Sequence, residues 1–284
     1  MKKSRLFILM AALVVMSSLV LAACGSSDDD SSSDSSSSTA SSDFSSELIT
    51  DGTLTVGTDT PYPPFEFGKA PDYDGFDIDM VNAIAEKLGV ETVYKDAAFE
   101  TIFTDVAQGK FDMVASASTI TPDRQKTVNF SDPYYEAEQA LLVPEGSDIA
   151  TVDDLAGKTV SAQDGTTGEA YANDETDASD VRGFPNGPAS IAALTNGQVE
   201  ATIIDQPVAQ DAIDKGQGGF EIATMIPTGE LYGLAFSKQN TELLSAVNGA
   251  LEGLKKDGGL DKIYQEWFKI DAPKGVINGT TTNP

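Results

Sequence analysis

Hydrophobic and polar positions change period repeatedly along this chain. An apolar run from Leu6 to Leu21 gives way to a Ser- and Asp-rich stretch from Gly25 to Ser46, and patterned sequence begins only after Leu48. The alternating "GTLTVG" predicts a strand, followed by the stiff aromatic segment "TDTPYPPFEF" at 58–67. In "GFDIDMVNAIAEKLG", apolar Ile78, Val81, Ile84, Ala85 and Leu88 fall on one helical face, with Asp77 as N-cap and Gly89 as the C-cap glycine. A strand "ETVYK", a helix "FETIFTDVAQG" and an apolar strand "FDMVASA" follow.

A second set begins after "ALLVPEGSDIATVDDLAG". It comprises strand "KTVSAQ", a turn entering a helix in "GTTGEAYAND", strand "VRGF", helix "PASIAALTNG", strand "VEATIID" and helix "QPVAQDAIDKG" with Pro207 in its first turn. Strand-helix-strand units with short links predict an α/β fold with parallel sheets, here in two lobes. Near the C-terminus, Leu243, Val247, Leu251 and Leu254 form one stripe, and Leu260, Ile263, Trp267 and Phe268 extend it. These last helices need a surface to cover, for which the first lobe is the candidate.

The N-terminus changes the picture of where the chain works. Lys2, Lys3 and Arg5 precede the apolar run, which ends in "LAAC". This is the layout of a secretory signal, and the junction resembles the lipobox of bacterial lipoproteins. The resemblance implies a signal peptide over 1–23 and a diacylglyceryl group on Cys24, the chain's only cysteine. A transmembrane anchor is the alternative, but no charged stop-transfer flank follows the run. Residues 24–47 then read as a solvated tether, because Ser and Asp offer too little apolar surface to offset ordering entropy. The expected location is extracytoplasmic, lipid-anchored to the outer face of the cell membrane, or periplasmic.

Charge and composition exclude whole classes of function. A formal net charge of -27 argues against nucleic acid and against adhesion to anionic lipid. With no histidine and one cysteine, imidazole catalysis and His- or Cys-based metal sites are ruled out, so no metal and no cofactor is expected. Catalysis would have to rest on carboxylates, Ser, Lys or Tyr.

Several residues then stand out for the chemistry of small ligands. Arg124 lies in "TITPDRQK", where Thr121 and Pro122 begin a helical turn; it is either an exposed helix residue or a planar fork for a carboxylate. Asp205 ends an apolar strand before Pro207, so it either caps the following helix or faces a ligand at the strand's C-terminal end. "DGTTG" at 164–168 is an ordinary capped turn or a set of backbone amides, with the Thr166 and Thr167 hydroxyls, suited to a carboxylate. Tyr62 and Phe99 fill a core or wall a pocket.

Six stretches taken together resolve those alternatives by resemblance. "TDTPYPPFEF", "GFDIDMVNAIAEKLG", "ASASTITPDRQKTVNFSDPYY", "AQDGTTGEAY", "GQVEATIIDQPVA" and "DGGLDKIYQEWF" stand in the order and spacing of the polar amino-acid family of bacterial extracellular solute-binding proteins, which serve ABC importers. The chain resembles that family from Leu54 to Phe268. The resemblance implies a two-lobe, type II periplasmic-binding-protein (Venus-flytrap) fold with two crossing hinge strands, near Ala140 to Val143 and Tyr232 to Ala235. Lobe 1 would be 48–141 with 232–271, lobe 2 would be 142–231, and 272–284 a tail.

It further implies that Arg124 holds the α-carboxylate of a free amino acid and Asp205 its α-ammonium. Ser116, Ala117 and Thr119 would supply further polar groups, and Thr166 and Thr167 would approach from the second lobe. Tyr62 would be a lid over the ligand side chain, Asp59 the cleft floor and Phe99 a second wall. Gln163 and Asp164, with the segment "GFPNGPAS" at 183–190, depart from the usual pattern and are expected at the side-chain end of the cleft. The implied partners are a polar amino acid, the transmembrane subunits of an ABC permease and a membrane, with the protein a monomer. Two rivals remain open on the same fold: a dehydratase acting on aromatic-pathway acids, using Glu66, Asp59 or Asp164 as acid, and a sensor that presents its closed form to a receptor.

Overall fold

The structure, a computed structural model, describes residues 43–279. The signal peptide, Cys24, most of the tether and the last five residues lie outside the described residues.

The first lobe opens with β1 (Thr53–Thr58), a small hairpin of β2 (Phe67–Lys69) and β3 (Asp72–Asp74), and helix α1 (Phe76–Leu88). β4 (Glu91–Asp96), α2 (Phe99–Ala107), β5 (Met113–Val114), the short α3 (Arg124–Thr127) and β6 (Val128–Phe130) follow. β7 (Tyr135–Pro144) then leads into β8 (Thr159–Gln163), α4 (Thr167–Asp174), β9 (Asp180–Phe184), α5 (Gly187–Thr195), β10 (Ala201–Asp205) and α6 (Gln206–Asp214). β11 (Phe220–Tyr232) returns to β12 (Ala235–Ser237) and the terminal helices α7 (Thr241–Asp257), α8 (Gly259–Trp267) and α9 (Lys274–Asn278).

The strands make two five-stranded sheets, ordered β4-β1-β5-β12-β6 and β11-β7-β10-β8-β9. Each is mixed rather than parallel. β1 runs parallel to β4 and β5, and β8 parallel to β9 and β10, but β12 pairs antiparallel in the first sheet and β7 and β11 antiparallel in the second. The departure has a topological cause: a chain that passes between lobes and returns must traverse in opposite directions. β7 and β11 are those passages, paired from Tyr135 with Tyr232 to Pro144 with Phe220.

Four expectations need correction. Gln139 to Leu142 already pair with β10, so the first crossing lies around Tyr134 to Glu138, earlier than Ala140 to Val143. Asp77 is not the N-cap of α1; Gly75 holds that place, and the fully buried Asp77 carboxylate accepts the Ala117 N–H at 2.9 Å and the Tyr134 hydroxyl at 2.8 Å. The tether does not run free to residue 47, since Glu47 accepts the amides of Glu242 and Leu243 at 3.2 and 2.8 Å and so caps α7, which has no side-chain cap of its own. The segment after 271 holds α9, with Val276 buried in the main core.

Other expectations hold. Gly89 takes the left-handed conformation, φ 71°, and closes α1. α7 and α8 pack on α1, with Leu243, Val247, Leu251, Leu254 and Leu260 buried. The crossing strands carry an aromatic cluster: Tyr135 stacks on Tyr232 at 5.4 Å and on Tyr264 at 5.6 Å, and Phe65 meets Tyr135 edge-on at 5.0 Å. The aromatic segment at 58–67 thus divides its roles, with Phe65 in this cluster, Phe67 edge-on to Trp267 and Tyr62 in the cleft.

Candidate functional site

The two sheets face each other across a narrow cleft lined from both lobes, with Asp59, Tyr62 and Arg124 on one side and Gln163, Thr167 and Asp205 on the other. Its floor is built where β1 ends. The Ser116 hydroxyl accepts the Asp59 N–H at 3.0 Å and donates to Glu66 Oε1 at 2.8 Å, which ties the loop after β1 to the loop after β5. Ser116 therefore lines the cleft with its proton already engaged. Ala117 adopts a left-handed backbone, φ 40°, unusual for a residue with a Cβ. Its N–H is held by Asp77, so the carbonyl is the group it offers a ligand.

Arg124 projects from the start of α3, whose first amide, its own, is held by the Thr121 hydroxyl at 3.2 Å. The guanidinium lies over two rings, 5.1 Å from the Phe99 centroid and 4.6 Å from that of Phe103. Nη1 donates to the Thr119 carbonyl at 2.7 Å and Nη2 to the Gly165 carbonyl of the other lobe at 3.0 Å. Phe99 is thus a platform for the cation as much as a wall. Phe103 shares that task; its only sequence signal is its place one turn beyond Phe99 on α2.

From the second lobe, Asp205 points into the cleft and not back along α6, for it makes no cap hydrogen bond. It accepts the hydroxyls of Tyr62, at 2.7 Å, and Tyr232, and the amide of Gln139. Gln163 Nε2 reaches across to Asp59 Oδ2 at 2.5 Å, while its Oε1 is buried without a partner. Thr167 turns its hydroxyl inward. Thr166 does not: it donates to the Gln163 carbonyl at 2.8 Å and accepts the Glu169 amide at 3.1 Å, so it caps α4 and meets the cleft only as lining. Asp164 lies outside the lining, its amide bonded to Phe184 O at 2.9 Å, whereas Gly187 of the 183–190 segment abuts the Tyr62 ring. The structure therefore brings all eleven expected residues to the lining of one cleft, with the Thr166 hydroxyl spent on capping α4.

Two acidic residues were not in the expected set. Glu66, named only as a possible acid, is fully buried, with Oε2 unpartnered on the cleft floor. Glu230 stands just behind the lining, on β11. The electrostatics follow from this crowding. Burial, and then Asp77, hold the Glu66 carboxyl well above the usual carboxylate range. Burial raises Asp59 to about 6 against the Gln163 hydrogen bond, and burial followed by repulsion from Glu230 raises Asp205 to about 6. Burial lowers Arg124 to about 10, opposed chiefly by Glu230 and Asp205. Among the described residues no group of three or more acidic, His or Cys side chains is arranged to hold a metal ion.

A cleft with the Arg124 cation on one lobe and the buried Asp205 carboxylate on the other is suited to an ion of both signs. The family model described as bacterial extracellular solute-binding proteins, family 3, matches residues 54–270. The chain belongs to this family. The L-cystine-binding protein TcyJ of Escherichia coli (strain K12) is 33% identical over 231 residues, covering 78% of this chain and 85% of that protein. The lysine/arginine/ornithine-binding periplasmic protein of the same strain is 32% identical over 242 residues, covering 81% of this chain and 93% of its own length. Among solved structures, an ancestral arginine-binding protein bound to arginine is 42% identical with a TM-score of 0.73, covering 76% of this chain and 98% of that one.

Proposed function

We propose that this family member captures a free amino acid, preferentially one with a cationic side chain, in the interlobe cleft and presents the closed form to an ABC permease. The observation that carries the reading is the opposition of Arg124, from the first lobe, to Asp205, from the second, across one small cleft. An α-carboxylate fits the first and an α-ammonium the second, and a ligand touching both lobes favours closure by its differential contacts. Asp59 supports the cationic preference: after a zwitterion neutralises Arg124 and Asp205, its buried carboxylate remains on the cleft floor with no opposite charge. Delivery from a lipid anchor on Cys24, at the outer face of the membrane or in the periplasm, is part of the same proposal, as are the permease subunits as partners.

The test is thermal unfolding of the purified protein against a panel of amino acids at about 1 mM. A ligand at roughly a thousand times its dissociation constant stabilises by about 4 kcal/mol. For a domain of this size each kcal/mol raises the midpoint by about 2 to 4 °C. Arginine and lysine should give the largest shifts, and Arg124→Ala should abolish all of them. A shift with cystine or glutamine alone overturns the cationic preference, and no shift at all overturns amino-acid capture.

The buried Glu66, whose carboxyl burial holds well above the usual carboxylate range, favours one other reading, a dehydratase with Glu66 as general acid. Turnover of prephenate or arogenate by the purified protein, absent in Glu66→Gln, would establish it.

A further inference from the structure

Glu230 comes into the site from the hinge. β11 loses register against β7 between Ile226 and Glu230, where Gly229 sits at φ +66°. Pro227 supplies no N–H to a ladder, so this stretch departs from regular pairing, and pairing resumes with Glu230 opposite Ala137. The Glu230 side chain is nearly buried, 9% exposed. One of its oxygens, Oε2, accepts the hydroxyl of Thr119, from the first lobe, at 2.6 Å and that of Thr167, from the second, at 2.7 Å. The other, Oε1, accepts Gln139 Nε2 at 3.1 Å, and the same amide reaches Asp205.

A hydroxyl has one proton to give. Thr119 and Thr167 both give theirs to Glu230, so each turns only lone pairs toward the cleft it lines. Lone pairs repel a carboxylate and accept from an ammonium, whose three N–H groups need three acceptors. The "DGTTG" turn is therefore suited to a carboxylate through its backbone amides and not through the Thr167 hydroxyl.

We propose that Glu230 is a positioning residue that fixes the Thr119 and Thr167 hydroxyls as acceptors, so that they and Asp205 together seat the α-ammonium of the ligand. The proposal rests on amino-acid capture as read above. Because the two hydroxyls come from different lobes and meet on one hinge carboxylate, the seat is complete only when the lobes are closed.

The test compares arginine with 5-guanidinopentanoate, which has the same side chain and carboxylate but no α-amino group, by calorimetry. If the panel selects another amino acid, that amino acid and its deaminated analogue replace the pair. Glu230→Gln keeps the shape; Gln139 Nε2, held by Asp205, keeps the new amide's oxygen on its own side, so the NH2 group faces Thr119 and Thr167 and reverses both hydroxyls. Arginine affinity should fall about 10- to 100-fold while affinity for the deaminated analogue stays within about threefold, and Glu230→Asp should recover part of the difference. Thr167→Val, which leaves the hinge intact, should show the same selective loss and serves if Glu230→Gln does not fold. An equal loss for both ligands would mean a purely structural role, and unchanged arginine affinity would mean no role; either overturns the proposal. Failure of the wild-type protein to bind any amino acid would instead overturn the reading on which it rests.

Discussion

Replacing Asp205 by Asn should move stability and binding in opposite directions. The carboxyl is raised from 3.8 to about 6, first by burial and then by Glu230. At pH 7 it is ionised both folded and unfolded, so keeping that charge inside disfavours folding by about 3 kcal/mol, at ~1.4 kcal/mol per tenfold change in proton affinity. The substituted side chain keeps an oxygen for the Tyr62 and Tyr232 hydroxyls. Its new amide faces Gln139, whose Oε1 is buried without a partner and becomes an acceptor if that amide turns over. Turning it removes the bond from Gln139 to Glu230, which offsets about 1 kcal/mol of the gain. The net expectation is a ligand-free protein more stable by about 1 to 2 kcal/mol, or roughly 3 to 6 °C in midpoint. Binding should suffer in contrast. Removing one member of a buried charge pair costs about 3 to 5 kcal/mol, so amino-acid affinity should drop by at least about a hundredfold. Thermal unfolding without ligand and calorimetry with arginine read the two quantities. A variant that melts below the wild type, or that binds within threefold of it, refutes the assignment of Asp205 as a buried charge held for the ligand.

The carboxylates of the cleft also set a pH dependence. Asp59 and Asp205, at about 6, and Asp77, at about 7, are all raised above the ordinary 3.8, so the folded protein takes up protons before the unfolded chain does. Their contribution to stability is therefore full below about pH 4 and is lost as pH rises through 6 to 7. The ligand-free midpoint should rise between pH 7.5 and 5 while the arginine-induced increment shrinks as Asp205 protonates; a larger increment at pH 5 counts against the site. At Gly187, an added Cβ would stand 2.8 Å from the Tyr62 ring of the opposite lobe. Gly187→Ala should weaken binding about tenfold by holding the lobes apart and leave the ligand-free midpoint within about 2 °C, and a matched loss of both would place the clash inside one lobe. Gly75 sits at φ +135° with the Phe65 carbonyl 2.1 Å from any Cβ, so Gly75→Ala should lower stability by several kcal/mol as measured by urea unfolding, and a change under 1 kcal/mol would contradict that backbone geometry.

The local pattern of the chain determined most of its elements. α1, α2, α4, α5, α6 and the strands between them follow from apolar spacing and from turn residues such as Gly89, because those signals act within a few residues of one another. Arg124 and Asp205 were legible as candidates from residue type and position, and their choice as ligand groups came from the order of six motifs. Tertiary structure decided what their neighbours do. Ser116, Thr166 and Asp77 are polar residues of the kind that bind ligands, yet each is engaged by a partner distant in sequence or by a helix end, and nothing in local sequence declares which. The crossing strand β11 was illegible for a related reason: Pro227 and Gly229 break its alternation, and only pairing with β7 holds it extended. Glu230 entered the site through that irregular stretch. A single carboxylate serving hydroxyls from both lobes depends on how two sheets close over a hinge, a relation between residues 63 and 111 positions apart that no window of sequence contains.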